Sequence, residues 1–309
     1  MYYGYMKNTH LEHPEDSVLL GKEVVQNTIN YLRNAKGYCS VKYDGAPAIV
    51  FGINPENGKF FVGTKSVFNK VKIKINYTHH DINVNHGNNE KVAAILHTCL
   101  EVLPRVEGIY QGDFIGYGGT NQFNPNTITY TFDSLPEDTS MVFVCHTSYH
   151  GNSMKELTAS FEVPEYLKLH NIFTYFVNAD AQFTSRRRRI DYILGLASVV
   201  CNFVRYPVDK KEQERLTIAI NKCIKEHRDV SNVLSGNLLL LFNLLTQAKL
   251  LIMEGISVTG DQVDARIDLG IDYINSGHEG YVHSNDYGTF KFVNREVFSH
   301  YNFTKPKGW

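Results

Sequence analysis

Six short runs place amines and carboxylates where reaction chemistry could use them. In Ser40-Val41-Lys42-Tyr43-Asp44-Gly45-Ala46-Pro47-Ala48-Ile49-Val50-Phe51-Gly52, Lys42 ends an apolar strand and Asp44 follows two residues on. Gly45 then makes a turn into a second strand. A lysine amine is a nucleophile only when deprotonated. Its ordinary pKa of about 10.4 leaves it almost wholly protonated at neutral pH. Neighbouring cations lower that value, and Lys65 (Gly63-Thr64-Lys65-Ser66), Lys291 (Phe290-Lys291-Phe292-Val293) and a bound Mg²⁺ are the candidates. Asp113 (Gln111-Gly112-Asp113-Phe114) and Glu279 (Glu279-Gly280-Tyr281-Val282) carry the hard oxygen donors that Mg²⁺ takes. Met141-Val142-Phe143-Val144 adds an aromatic. Each residue also has a plainer reading: Lys42 as an exposed strand-end lysine, Asp113 as a turn aspartate, Phe143 as core.

The elements that position these residues divide the chain into three. In residues 1–150, Pro14-Glu15-Asp16-Ser17 suits a first helical turn. Val18, Leu19, Val24, Val25, Ile29 and Leu32 continue that helix, and Gly37 ends it. Ala48–Ile53 and Lys59–Thr64 read as an antiparallel pair around Pro55-Glu56-Asn57-Gly58, a turn whose Asn-Gly tolerates positive φ. Residues 66–89 read as polar, Asn/His-rich loop, with Lys70, Lys72 and Lys74 as the polar face of a half-buried strand. A helix follows over 89–103, then strands over 108–116, 127–132 and 141–146. Residues 151–270 change texture: 191–204, 211–227 and 233–256 read as helices able to pack as a small bundle. Residues 271–309 return to strand at 279–283 and 288–293. The last strands would complete the first sheet, making the helices an inserted subdomain.

The order of the six runs resembles the covalent nucleotidyltransferase superfamily: ATP-dependent DNA ligases, RNA ligases and mRNA capping enzymes. It is similar to motifs I, Ia, III, IIIa, IV and V in turn, across roughly the β-rich two-thirds of the chain. The resemblance implies an α+β ligase-type nucleotidyltransferase domain with antiparallel-rich mixed sheets. It implies ATP and Mg²⁺ (or Mn²⁺) as cofactors and a covalent lysyl-AMP on Lys42. AMP then passes to a 5′-phosphate end, and a 3′-hydroxyl displaces it. Glu279 would handle the metal and, with Lys42 and Lys291, make the catalytic set. Asp113 would hold the ribose hydroxyls and share in the metal, and Lys291 would contact the α-phosphate. Phe143 would stack on the base, and Val41, Asp44, Gly45 and Lys65 would border the nucleotide.

The sequence departs from that pattern in places. Pro47 stands where an arginine is common, Asp113 where glutamate is usual, and Thr289 where motif V has its first lysine. Lys65 replaces an arginine and lacks its bidentate fork. Residues 294–309 leave no room for a C-terminal OB domain, and helical appendages are typical of small phage-type RNA ligases. A closer likeness, to tailed-phage proteins without an assigned activity, covers the Lys-x-Asp-Gly-Ala-Pro-Ala-Ile run and Cys145-His146-Thr147-Ser148-Tyr149-His150-Gly151. It implies a viral origin. The expectation is therefore an ATP-dependent polynucleotide ligase acting on RNA or DNA strand ends, RNA first. The alternatives are a DNA ligase of the same superfamily, or a non-catalytic phage protein that keeps the fold to bind nucleic acid or protein.

Composition narrows the class only a little. The 309 residues are 43% hydrophobic and 20% charged with a net charge of -1, so no global basic field announces nucleic acid. The one dense basic run, Arg186-Arg187-Arg188-Arg189, reads equally as a solvated helix start or as a contact to a phosphate backbone, since four positive charges at a helix N-terminus oppose its dipole. Five scattered cysteines without a CxxC pair suggest a reduced cytoplasmic protein, in the host if viral. His79, His80 and His86 lack the spacing of a helical metal site. The longest apolar run, Leu238–Leu245, is too short for a bilayer, so no membrane partner is expected. A monomer is favoured.

Overall fold

A computed structural model describes residues 5–6, 11–34, 36–126, 128–185, 188–268, 273–275 and 278–298. In chain order come β1 (Tyr5–Met6), α1 (Lys22–Arg33), β2 (Tyr38–Val41), β3 (Ala48–Ile53), β4 (Phe60–Thr64), α2 (His79–His86), α3 (Glu90–Val102) and β5 (Ile109–Tyr117). Next are β6 (Gln122–Phe123), β7 (Ile128–Phe132), β8 (Met141–His150), β9 (Thr158–Ser160), β10 (Thr174–Phe176) and β11 (Asp180–Phe183). The helices α4 (Arg188–Val200), α5 (Lys210–Lys225) and α6 (Gly236–Met253) follow. The chain returns to strand in β12 (Ile256–Val258), β13 (Val263–Asp268), β14 (Tyr273–Asn275), β15 (Gly280–Asn285) and β16 (Gly288–Val293). This is a mixed α+β fold with mainly antiparallel sheets.

Two sheets make the site. The larger has the order β1-β9-β8-β5-β3-β4, with β10 parallel to β8. The smaller runs β12-β11-β2-β15-β16. A third, β14-β13-β7-β6, lies outside both. The lysine strand β2 and the strand after it, β3, therefore belong to different sheets. The last strands do not join the larger sheet; β15 pairs with β2, Tyr281 opposite Val41 and Val282 opposite Ser40. Lys42 continues that ladder by donating its N–H to the Gly280 carbonyl at 2.8 Å.

Strand alternation sorts the side chains. On β2, Cys39 and Val41 enter the main apolar core with Tyr281 and Phe292, while Ser40 and Lys42 take the other face with Val282 and Lys291. The larger sheet has one face under α3, where Phe51, Phe143 and Leu96 pack together. Helices α1 and α4–α6 close the main core over the smaller sheet.

The span 151–270 is not wholly helical: β9–β13 lie in it, and β11 and β12, which flank the three helices, pair with each other. Residues 79–86 form α2 rather than loop, and Lys70–Lys74 is no strand, since Lys72 sits at φ 55° and Val71 is exposed. The first helical stretch is split into a 3-10 turn over Pro14–Leu19 and α1, which ends at Arg33, short of Gly37. Helix α6, at 18 residues, is long and apolar enough to cross a bilayer by length and composition. In this fold it packs on α4 and the Pro14–Leu19 turn, with Lys249 buried on it. All five cysteines are buried free thiols.

Candidate active site

A cavity of about 320 Å³ opens where the two sheets face each other. The smaller sheet supplies Ser40, Lys42, Val282 and Lys291, and the larger Gln111, Asp113, Val144, His146, Thr147 and Tyr149. Asp44, from the connection between the sheets, and Lys65 complete the charged lining. Lys65 opens a 3-10 turn capped by Thr64, whose hydroxyl accepts the Ser66 N–H at 3.3 Å.

The connection 42–47 is pinned along its length. The Asp44 N–H donates to the Tyr130 hydroxyl at 2.8 Å, and the Asn126 amide donates to the Asp44 carbonyl at 3.3 Å. The Ala46 N–H donates to the Phe114 carbonyl at 2.9 Å, and the Phe114 N–H returns a bond to Pro47 at 3.2 Å. Gly45 lies so close to β5 that a Cβ would come within 2.6 Å of the Phe114 carbonyl oxygen. Those bonds hold Asp44 beside Asp113 while Lys42 stays on the other sheet.

Lys42 donates to Glu279 Oε2 at 2.5 Å; their side chains are 25% and 6% exposed. Burial works to lower the Lys42 pKa, but Glu279, Asp44 and Asp113 outweigh it and the net shift is upward. Lys42 is thus an ammonium in this state. That corrects the expectation that neighbouring cations leave it primed as a neutral amine. Lys291 shifts the other way: burial first, then the Lys42 and Arg295 charges, lower its pKa against the pull of Glu12 and Asp16. Burial, with Glu279 and Asp113, raises Asp44 to about 6 despite Lys42.

Phe143 does not reach the cavity. It is 0% exposed and packs edge-on against Phe51 and Phe176 on the α3 face of the sheet. Its neighbours Val144 and His146 take the opposite face and line the cavity instead. Base stacking by Phe143 is therefore excluded by its position.

One family, DUF6267, described as a family of unknown function, matches over residues 8–235 and 203–307. The chain belongs to DUF6267. No curated protein and no solved structure matches it. In this DUF6267 protein the fold brings together Val41, Lys42, Asp44, Lys65, Asp113 and Lys291 around one cavity, with Glu279 bonded to Lys42; Gly45 is not among the lining residues and packs against β5. Arg188 and Arg189 are exposed at the start of α4 and are not among the cavity residues. Arg186 and Arg187 lie outside the described residues. Gln111, His146, Thr147 and Tyr149 were not foreseen as site residues. The signal for three of them was the Cys145–Gly151 run itself.

Among the described residues no group of three or more His, Cys, Asp or Glu is arranged to hold a metal ion alone. Mg²⁺ rarely uses such a cage, binding through one or two carboxylates, waters and substrate phosphate. Glu279, Asp44 and Asp113 are donors of that type; burial first, and then Glu279 and Asp113, raise the Asp44 pKa.

Proposed function

We propose that this DUF6267 protein is an ATP-dependent nucleotidyltransferase that works as a polynucleotide ligase, with RNA as the favoured substrate and DNA as the alternative. The observation that carries the reading is the convergence of Lys42, Lys65, Lys291, Asp44 and Asp113 on one cavity from four separate stretches of sequence. Three amines there suit a triphosphate, and one is backed by a buried carboxylate. Lys42, after giving up its proton, attacks the α-phosphorus. A P–N bond forms, the bond to the β-phosphate oxygen breaks, and pyrophosphate leaves with the electron pair. Glu279, already hydrogen-bonded to the amine, is placed to take the proton. Lys291 and Lys65 balance charge on the phosphoryl oxygens. Mg²⁺, held by Glu279, Asp44 or Asp113, would supply further neutralisation of phosphate charge. AMP then passes to a 5′-phosphate end, and a 3′-hydroxyl displaces it to form the phosphodiester. The exposed Arg188 and Arg189 are candidates for holding the strand.

The test is incubation with α-labelled ATP or GTP and Mg²⁺, followed by denaturation and detection of protein-bound label. The expected result is label from ATP that is absent in Lys42→Ala. No label from either nucleotide, or undiminished label in Lys42→Ala, sinks the reading and leaves a binding protein. Where label forms, sealing of nicked RNA, nicked DNA and single-stranded ends decides the substrate.

A further inference from the structure

Helix α4 is apolar on both sides. Its inner face, Ile190, Ile193, Leu194, Ala197 and Val200, is buried, and the helix packs on α6 and α1. Its outer face carries Tyr192, Leu196 and Val199, and Phe203 follows in the 3-10 turn that ends it. These four are 75%, 40%, 56% and 71% exposed. Spacings of four, three and four residues put them in one stripe along the helix. None of them lines the cavity. A helix that is apolar all round belongs in an interior, and an exposed patch of large apolar side chains marks a contact surface.

Gly195 sits in the middle of that stripe. Glycine is a poor helix former, second only to proline. Nothing within the chain requires it here: its φ is not positive, and a Cβ added to it would meet no atom within 4 Å. It leaves an open notch beside Leu196. The face complements itself across that notch. Two copies of α4 laid antiparallel, with a two-fold axis between Gly195 and Leu196, set each Leu196 over the partner's Gly195 and each Tyr192 over the partner's Val199, so that large side chains meet smaller ones. The same register sets each Arg188 over the partner's Phe203. Arg188 and Arg189 are exposed at their own helix N-terminus, where positive charge opposes the dipole. An antiparallel copy offers them a helix C-terminus, which favours positive charge, and an aromatic face on which a guanidinium stacks. One register thus fills the notch, covers the stripe and places the arginines.

We propose that α4 is a self-association face, pairing antiparallel with α4 of a second copy of this chain. It assigns Arg188 to the partner copy rather than to a polynucleotide strand. One helix pair is a small interface, so the dimer is weak and concentration-dependent. Sedimentation velocity of the full chain from about 1 to about 100 μM reads it. Wild type is expected to pass from monomer to dimer across that range. Leu196→Glu, which brings a charge to the notch, and Gly195→Gln, which fills the notch with a good helix former, should each weaken the dimer at least about tenfold. Gly195→Gln should keep or raise the denaturant midpoint, which separates lost pairing from lost folding. Disulfide formation reads the register, since the five native cysteines are buried. Leu196→Cys, beside the axis, should cross-link under mild oxidation. Tyr192→Cys should not, because its copies lie about 10 Å apart along the helices, beyond disulfide reach. A wild type that stays monomeric throughout, a dimer indifferent to both substitutions, or cross-linking at position 192 and not at 196 overturns the proposal. A monomer whose binding of single-stranded RNA is lost in Leu196→Glu also overturns it and gives the face to nucleic acid.

Discussion

Asp44 is the residue whose environment most opposes its own charge. Its pKa is raised from 3.8 to about 6, first by burial and then by Glu279 and Asp113, with Lys42 opposing. A carboxyl whose folded pKa exceeds its unfolded value binds more protons in the native state across that interval. Native stability from this group therefore falls as pH rises from about 4 to 6, and is constant above. Asp44→Asn removes the titration. The stability difference, mutant minus wild type, should grow across that pH window by as much as about 3 kcal/mol. Urea unfolding at pH 4.5, 5.5 and 7 measures it; a difference that is flat with pH contradicts the raised value. The same substitution should slow Lys42 labelling, since it removes one of the carboxylates proposed to hold Mg²⁺, and that loss outweighs the easier deprotonation of a lysine with one fewer carboxylate beside it. Gain in stability with loss of reaction is the expected signature of a residue kept for chemistry.

At the scale of elements, the critical one is the six-residue passage from β2 to β3, which carries the chain from one sheet to the other. Gly45→Ala would push a methyl within 2.6 Å of the Phe114 carbonyl oxygen and 2.8 Å of Asp113 Cβ, so either this passage or β5 must move. Overpacking of this kind costs about 1–3 kcal/mol, and here it displaces Asp113 relative to Lys42. Chemical denaturation should show that loss, and single-turnover labelling should fall at least about tenfold; two unchanged readings would show the passage to be pliant. The sequence made most elements legible. Asn89, which accepts the Val92 N–H, marked the start of α3, and β3–β4 followed from their Asn-Gly turn. It could not show that Lys42–Pro47 leaves one sheet for another, because the partners of β2, β11 and β15, lie about 140 and 240 positions further on. Phe143 was assigned the wrong face for a related reason. Met141–Cys145 is buried on both sides, so alternation tells which residues share a face but not which face meets the cavity. Helix α2 hid behind poor helix formers. Its signal was the capping box in which Thr78 accepts the Asp81 N–H and Asp81 accepts the Thr78 N–H. The β-bulge at His146, where Gln111 pairs with Thr147 but Gly112 with Cys145, has no glycine on β8 to announce it.

Across the whole molecule, the cavity is tied to the helical layer by a buried ionic network. Lys249 on α6 donates to Glu15 at 2.6 Å, both side chains 1% exposed. Arg295 lies 3.5 Å from Glu15, bonds Asp16 at 2.7 Å and reaches Asn221 on α5. The same segment touches the site directly: Leu11 lines the cavity, and the Lys291 N–H donates to the Glu12 carbonyl at 3.1 Å. Between them, buried His13 has its pKa lowered first by burial and then by Lys249, Arg295, Lys291 and Lys42, so it spans both charge clusters. Nothing in the local sequence around Glu15 announces Lys249, 234 positions away. A buried pair of this kind adds little net stability over an apolar isostere, but breaking it strands a charge. Lys249→Met should therefore cost stability, by less than the about 3–5 kcal/mol of a wholly unpaired buried charge, because Arg295 stays 3.5 Å from Glu15; the loss is read as a lower denaturant midpoint at unchanged slope. Glu15→Gln combined with Lys249→Met should restore most of it, because no carboxylate is left unpaired and Arg295 keeps Asp16. That recovery is the decisive reading. If the double variant is as unstable as the sum of the singles, the groups act independently. In that case Leu11 and Lys291 owe their placement to packing rather than to the charges beneath them.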